Sequence, residues 1–283
     1  MSFNNHSNSS YSDSDSENNS SPEFIQIAQF TNGKAIFCPP HFLSTFNSHL
    51  FSPSDLTLYT SPFPLFRLGK PLDGGYILSE IPSDNPYSII ISAGIADDIS
   101  FEIAFCDLFP KTFCLAFDGT ITNPPDAHPN IYFIKKNIDI NNTPTTTNLS
   151  HFMDTYDNIF LKLDIEGYEI PWIMNTTSEH LSKISQIVLE FHHPYIPYDK
   201  DLFKKINETH YLIHFHPNNA CSYLVHNGVL LPNVFECTYL NKKFFTSPPS
   251  LNTQTLPLSI DMPNQDDKPV LFIDFKPFVH KTI

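Results

Sequence analysis

The stretch Asn158-Ile-Phe-Leu-Lys-Leu-Asp-Ile-Glu-Gly-Tyr-Glu169 brings three charged side chains to the end of an aliphatic strand. Lys162, Asp164 and Glu166 alternate with aliphatic residues, so a period of two predicts that the charges share one face of the strand. Burying an unpaired charge is costly, and ligands of open α/β sheets bind beyond the carboxyl ends of the strands. The stretch therefore indicates either a functional site or a structural salt bridge.

A second aliphatic strand, residues 186–191, delivers Glu190 and His192 at its end. Residues 168–183 lie between the two strands and are long enough for the crossover that joins parallel neighbours. Parallel neighbours would open onto the same edge of the sheet. This convergence of polar groups favours a site over a salt bridge.

Strands alternate with helices through the middle of the chain. Strands are predicted at residues 87–93, 112–117, 131–134, 158–163 and 186–191, and helices at 99–109, 169–175 and 199–208. This alternation predicts an α/β fold, a Rossmann-like and mainly parallel central sheet with helices on both faces. The short connections after residue 210 predict antiparallel edge strands at 211–216, 223–225 and 234–240, and a last strand is expected at 270–275.

Composition divides the chain into four segments. Residues 1–22 are almost entirely Ser, Asn and Asp, which predicts a disordered tail, and this low-complexity composition suggests an AT-rich source such as a large DNA virus or a protist. Residues 23–64 form an accessory segment, residues 65–243 the main domain, and residues 244–283 a loop and strand extension. We expect one principal folded domain.

The overall charge limits the partners. The formal net charge of −14 argues against unspecific binding to nucleic acid or to an anionic membrane. No run approaches the roughly 20 apolar residues of a spanning helix, and the amino terminus is polar, so a soluble, cytoplasmic protein is expected. The cysteines have no CxxC spacing and are predicted to be reduced, mostly buried thiols; they are Cys38, Cys106, Cys114, Cys221 and Cys237.

The loop after the first strand of the alternating region contains Gly94, and the next strand ends in Asp118. In doubly wound sheets the first loop meets the ligand, and an acid at this separation commonly reaches ribose hydroxyls. Together the two residues indicate an adenosine-containing ligand. Further upstream, the diglycine Gly74-Gly75 is explained equally well by close approach of a ligand or by a hairpin turn.

These motifs, in this order, resemble the FkbM-like branch of S-adenosylmethionine-dependent methyltransferases. The resemblance covers about residues 64–242, and its motifs are Arg67-Leu-Gly-Lys70, Asp73-Gly-Gly-Tyr-Ile-Leu78, residues 89–102, Phe117-Asp118, Leu161-Lys-Leu-Asp-Ile-Glu-Gly167, Val188-Leu-Glu-Phe-His192, His214-Phe-His-Pro-Asn-Asn219 and Glu236-Cys-Thr-Tyr239. The chain departs from the usual pattern in having one glycine in the first loop and Asp118-Gly-Thr in place of Asp-Pro-Thr.

The resemblance implies a class I methyltransferase fold and S-adenosylmethionine as the cofactor. Gly94 would let the backbone approach the cofactor, and Asp118 would bind its ribose. Asn137 and Ile138 lie where such enzymes hold adenine. The residues expected at the cofactor are therefore Gly94, Asp118, Asp97, Asp73, Gly74, Gly75 and Asn137, with Asp98 and Glu102 as weaker candidates.

Methyl transfer from a sulfonium needs an oriented nucleophile and a base for its proton. His192 is the most natural base because its ordinary pKa lies near neutrality. The expected reaction is O-methylation of a hydroxyl on a small-molecule or carbohydrate-like acceptor. The residues expected to act in catalysis are Asp164, Glu166, His192 and Lys162, and those expected to bind the acceptor are Glu190, His214, His216, Asn218 and Asn219.

Three alternatives stay open on the sequence alone. Asp164, Glu190 and His192 could instead hold a divalent cation such as Mg²⁺, which would lower the pKa of the acceptor hydroxyl. The fold could also be a non-catalytic descendant that serves as a binding or structural protein. A nicotinamide oxidoreductase would use a similar sheet, but the chain lacks the G-x-G-x-x-G motif.

Overall fold

The computed structural model describes residues 25–38, 51–83, 86–195, 200–226 and 229–281. The predicted tail at residues 1–22 lies outside these ranges. Cys38 is described by its backbone alone, and its side chain is left out.

Sixteen strands and five α-helices lie within the described ranges. The strands are β1 (Ile25–Phe30), β2 (Ala35–Cys38), β3 (Leu65–Gly69), β4 (Gly75–Ser79), β5 (Ile89–Ala93), β6 (Phe113–Phe117), β7 (Ile131–Ile134), β8 (Asn137–Ile138), β9 (Thr146–Thr147), β10 (Ile159–Leu163), β11 (Ile184–His192), β12 (His210–Pro217), β13 (Tyr223–His226), β14 (Val229–Pro232), β15 (Val234–Asn241) and β16 (Leu271–Phe272). The helices are α1 (Ser100–Leu108), α2 (Ser150–Thr155), α3 (Glu169–Asn175), α4 (Ser178–Ser182) and α5 (Leu202–Thr209).

Seven strands form the central sheet, in the order β12-β15-β11-β10-β5-β6-β7. The five strands from β11 to β7 are parallel, which confirms the predicted parallel pairing of β10 with β11. The first strand of this sheet in the sequence is β5, and β6 and β7 follow it toward one edge. The next strand, β10, lies on the other side of β5. The sheet therefore has its topological switch point between β5 and β10, where ligands of such sheets bind.

The carboxy-terminal strands differ in position from the prediction. They are antiparallel, as expected, but β15 lies inside the sheet between β11 and β12. Its eight residues are all buried, so it is a central strand, and of the carboxy-terminal strands in this sheet only β12 lies at an edge. β13 pairs with β14 in a separate hairpin. The strand expected at 270–275 is limited to the two residues of β16, because the chain turns at Phe275–Phe278.

Two apolar layers cover the sheet, one on each face. One face packs against α1 and the β3–β4 hairpin, where Phe105 contacts Phe160 with ring centroids 4.6 Å apart. The other face packs against α2 to α5, which bury side chains such as Trp172 and Phe203. Large aromatic side chains fill both layers and account for much of the buried apolar area. Helices thus lie on both faces, as predicted.

The accessory amino-terminal segment and the carboxy-terminal extension pack together. β1 pairs with both β2 and β16, and Tyr59 and Leu251 form an isolated antiparallel bridge. The Tyr59 amide also donates to the Leu212 carbonyl at 2.9 Å, which covers part of the β12 edge. Cys106, Cys114 and Cys237 are buried free thiols and Cys221 is a half-buried one. None of the described helices has the length and apolar character needed to cross a bilayer.

Candidate active site

A cavity of about 580 Å³ lies at the carboxyl ends of β5, β6 and β10, at the switch point of the sheet. Its size falls in the range of small-molecule sites. Six residues singled out from the sequence contribute to its wall: Gly94, Asp118, Asn137, Ile138, Asp164 and Glu166. The structure therefore brings the first loop, the end of β6 and the charged end of β10 to one concave surface.

The fold requires a glycine at position 94, whether or not a ligand is bound. Its φ is +76°, and a Cβ at this position would lie 1.6 Å from the Asp164 carbonyl oxygen. The Gly94 amide donates to the Phe117 carbonyl at 3.0 Å, and the Asp164 amide donates to the Ala93 carbonyl at 3.1 Å. Gly94 thus permits three strand ends to close together, while its backbone faces the cavity.

Asp118 is held as a carboxylate at the cavity wall. Its oxygens accept hydrogen bonds from the Ala96 amide at 2.9 Å and from the Thr120 amide and hydroxyl at 2.7 and 2.6 Å. Burial alone would raise the pKa of Asp118, but these hydrogen bonds outweigh it and keep the pKa below its ordinary value. A buried carboxylate in this position is suited to accept hydroxyl donors.

Four residues expected at the cofactor lie outside the cavity lining: Asp73, Gly74, Gly75 and Asp97. Gly74 and Gly75 belong to the β3–β4 hairpin. A Cβ on Gly75 would lie 2.1 Å from the Arg67 guanidinium, and one on Gly74 would lie 2.3 Å from Asp98 Oδ2. The diglycine therefore serves the hairpin, and the weaker candidate Asp98 pairs with Lys70 at 2.9 Å. The other weak candidate, Glu102, is buried and accepts a hydrogen bond from Ser92.

Several cavity residues were not singled out from the sequence. Four of them follow the ends of β6, β7, β8 or β10, and one belongs to β9; the polar and aromatic members are Thr120, Lys136, Asp139, Thr146 and Tyr168. Thr120 and Asp139 could have been found from the sequence, because each follows the end of a strand. Thr146 gave no such signal, because it reaches the cavity through the β8–β9 pairing.

An acid and histidine cluster adjoins the cavity. Asp164, Glu190 and His192 each offer one ligand atom, and these atoms all lie within 4.8 Å of one another. Asp164 Oδ2 accepts a hydrogen bond from the Tyr76 hydroxyl at 2.9 Å, and His192 Nε2 lies 3.9 Å from Asp164 Oδ1. Asn218 donates to Glu190 Oε1 at 2.8 Å. Asp164 therefore belongs both to the cavity and to the cluster.

Glu169 organises this cluster from inside the protein. Its side chain is fully buried, and its Oε1 accepts the Ile165 amide at 2.7 Å and lies 3.2 Å from His192 Nδ1. Its Oε2 is buried without a hydrogen-bond partner in the described part of the chain. Glu169 thus ties the loop after β10 to the end of β11. The sequence showed only an acid at a helix start, which gave no sign of this contact.

The cluster perturbs its own ionisation. Burial alone would lower the pKa of His192, but its hydrogen bond to Glu169 and the charges of Glu169, Glu190 and Asp164 raise that pKa to about 9. Burial and the charge of Asp164 raise the pKa of Glu190 to about 7. The sequence argument for His192 as a base rested on an ordinary pKa near neutrality. In this structure, the neighbouring acids favour the protonated imidazole at neutral pH, and the role of His192 as the base stays a prediction.

The remaining predicted residues hold the framework of the site. Lys162 is buried and donates to the Gly94 carbonyl at 3.1 Å, which links β10 to the first loop. His214 Nε2 lies 2.8 Å from Asp261, and Asn219 donates to the Gln265 and Lys268 carbonyls at 2.8 Å each. These contacts fasten the loop before β16 over the sheet. His216 is buried, and burial lowers its pKa to about 4.

The strand order, the antiparallel β15 between β11 and β12, and the cavity at the switch point define a class I methyltransferase fold. The chain belongs to the Methyltransferase FkbM domain family, whose sequence profile matches residues 71–224, more than half of the 283 residues. The matched region includes the whole acid and histidine cluster and the cavity wall. No curated protein matches this chain.

Solved structures give only distant similarities. A chain of the fibrillarin/Nop5p complex has a TM-score of 0.34 at 9% identity, covering 56% of this chain and 74% of that one. The fibrillarin pre-rRNA processing protein of Methanococcus jannaschii has a TM-score of 0.31 at 11% identity, covering 58% and 70%. The antibiotic-resistance methyltransferase Kmr has a TM-score of 0.31 at 10% identity, covering 63% and 100%. These values carry no conclusion about the acceptor.

Proposed function

We propose that this methyltransferase transfers the methyl group of S-adenosylmethionine to a hydroxyl oxygen of a small-molecule or carbohydrate-like acceptor. One observation carries the proposal: Asp164 is shared between the cavity and the acid and histidine cluster. A donor bound in the cavity and an acceptor bound at the cluster would meet at this residue. Such juxtaposition is the main requirement of a displacement reaction.

The cavity fits the cofactor by its chemistry. The Asp118 carboxylate is placed to accept the ribose hydroxyls, and Asn137 and Ile138 line the region proposed for adenine. When bound, S-adenosylmethionine supplies a methyl group activated by a positive sulfur. The protein must then orient the acceptor oxygen and receive its proton.

Two carboxylates are positioned to receive that proton. Asp164 accepts the Tyr76 hydroxyl with Oδ2, so Oδ1 is the oxygen that faces His192. Glu190 has one oxygen held by Asn218, and its raised pKa of about 7 suits proton exchange near neutrality. His192, protonated at neutral pH, balances their charge, and Glu166 is an exposed acid at the same edge, 3.6 Å from His192 Nε2.

A cation-dependent version of the same reaction is favoured by the arrangement around His192. Glu169 holds Nδ1 and leaves Nε2 facing Asp164, which is how buried carboxylates orient histidines that bind metals. Two carboxylates and one imidazole suit Mn²⁺ better than Mg²⁺, which prefers oxygen ligands. Asp164, Glu190 and His192 would hold such an ion, which would displace the Nε2 proton of His192. The ion would then acidify the acceptor hydroxyl.

The test is calorimetric titration of the full chain with S-adenosylmethionine and S-adenosylhomocysteine, with and without Mg²⁺ or Mn²⁺. We expect micromolar binding, about −8 kcal/mol, followed by release of S-adenosylhomocysteine in a screen of sugars and small alcohols. Absence of binding under all conditions would overturn the proposal in favour of a non-catalytic protein. Activity that survives chelation of divalent ions would exclude the cation-dependent version.

A further inference from the structure

One aromatic side chain of the cavity wall has no hydrogen-bond, ionic or ring partner in the part of the chain that the structure describes. Tyr168 lies beside Asp164 and Glu166 in the lining, and it is 55% exposed. Within the described ranges, its side chain makes no hydrogen bond, ion pair or ring contact. A large aromatic ring exposed inside a cavity provides a surface for a ligand.

The backbone under this ring is fixed in an unusual conformation. Glu166 has a φ of +56°, and Gly167 has a φ of +97°. A residue other than glycine rarely adopts such a φ unless its surroundings impose it. Here the Ile165 amide is bound by the buried Glu169 carboxylate, and the Tyr168 amide donates to the Ile165 carbonyl at 3.2 Å. The backbone position of Tyr168 is therefore set before any ligand binds.

The two ends of the cavity differ in chemistry. The end formed by Asp118 and Asn137 is suited to the nucleoside part of the donor. Asp118 follows β6 and Asp164 follows β10, and these two strands flank β5 on opposite sides. The side formed by Asp164 and Tyr168 adjoins the acid and histidine cluster. A methyl group can reach an acceptor at that cluster only if the sulfur lies at this second end. The positive sulfur of a bound donor would then lie close to the Tyr168 ring and the Asp164 carboxylate.

Aromatic faces attract cations, and the attraction strengthens when the pair is shielded from water. We propose that Tyr168 forms the wall that binds the sulfonium, so that the protein binds the charged donor more tightly than the neutral product. This inference rests on the proposed function. It adds a specific consequence, which is that the Tyr168 ring distinguishes S-adenosylmethionine from S-adenosylhomocysteine by the charge on sulfur.

The test compares three ligands on the full chain by calorimetry. S-adenosylmethionine carries the sulfonium, S-adenosylhomocysteine has a neutral sulfur, and sinefungin carries an amine in place of the methyl sulfonium. We expect Tyr168→Leu to weaken S-adenosylmethionine and sinefungin by about 2- to 30-fold. The affinity for S-adenosylhomocysteine should change by less than about twofold, because its sulfur carries no charge for the ring to attract. Tyr168→Phe should retain the affinities of the unchanged protein, since the aromatic face remains.

A matched control is Tyr132→Leu, which removes another tyrosine that is 55% exposed but lies on β7 outside the cavity. Its affinities for all three ligands should stay unchanged, and thermal melts should show that both leucine variants are folded. Equal losses for the three ligands in Tyr168→Leu would overturn the proposal, since the ring would then supply contact area only. Unchanged affinities would overturn it as well. If the unchanged protein binds none of the three, the proposed function fails first.

Discussion

A Cβ atom added to Gly94 would lie 1.6 Å from the carbonyl oxygen of Asp164. These residues directly follow β5 and β10, the two parallel strands that flank the switch point of the sheet. The close approach of their backbones fixes the loop that carries the Asp164 side chain. The same contact therefore builds the cavity wall and positions the acid that adjoins the acceptor side.

Gly94→Ala should destabilise the protein more than an ordinary glycine substitution. The alanine must adopt a positive φ, which costs about 1–3 kcal/mol, and it must also displace the Asp164 backbone. Gly33→Ala is the matched control, because Gly33 has a φ of +83° but a Cβ added there would meet nothing within 4 Å. We expect Gly94→Ala to lose at least about 1 kcal/mol more than Gly33→Ala in urea unfolding. Equal losses would show that the contact with Asp164 relaxes freely.

The sequence predicts the parallel part of the sheet well because each strand is a short, mostly apolar run. The meeting of Asp164 with Glu190 and His192 follows from the parallel pairing of β10 and β11. The sequence does not reveal that Gly94 faces a carbonyl of another loop, since this contact joins residues far apart in the chain.

The same limit explains the residues that sequence reasoning missed or misplaced. Tyr76 lies 88 residues before Asp164 and donates a hydrogen bond to it. Glu169 contacts His192 from a fully buried position. The diglycine at 74–75 offered two explanations, and the packing of Arg67 and Asp98 against it supports the hairpin. The position of β15 inside the sheet depends on a long-range pairing that local patterns do not encode.

Asp164→Asn should separate catalysis from cofactor binding. An asparagine keeps the size of the side chain and an oxygen that can accept the Tyr76 hydroxyl, but it removes the negative charge. Transfer should fall about 10²- to 10⁴-fold, while S-adenosylhomocysteine affinity by calorimetry should change by less than about threefold. The control is Asp274→Asn, which neutralises an exposed aspartate that pairs with Lys281. Full activity in Asp164→Asn would remove this residue from the reaction.

Asp118→Ala should weaken cofactor binding with little effect on the acceptor side. The substitution removes a carboxylate that organises Ala96 and Thr120 at the cavity wall. We expect the affinity for S-adenosylhomocysteine to fall at least about tenfold, since one charge-assisted hydrogen bond contributes about 1.5–3 kcal/mol. Asp126→Ala, an exposed position further along the same loop, provides the comparison. An unchanged affinity would place the ribose elsewhere.

Glu169→Gln should lower the pKa of His192 from about 9 toward its ordinary value of 6.5, because the variant removes the nearest negative charge. NMR titration of the His192 ring protons measures this directly, and Glu179→Gln is the control because Glu179 is an exposed acid near the start of α4.

The sign of the stability effect follows from the raised pKa. In the unchanged protein, the contribution of His192 to stability is fully present below pH 6.5 and is lost as the pH rises through about 9. The variant should therefore lose most of that dependence, measured as unfolding free energies at both ends of the interval. A His192 pKa that stays near 9 in the variant would mean that Asp164 and Glu190, rather than Glu169, hold the proton on the imidazole.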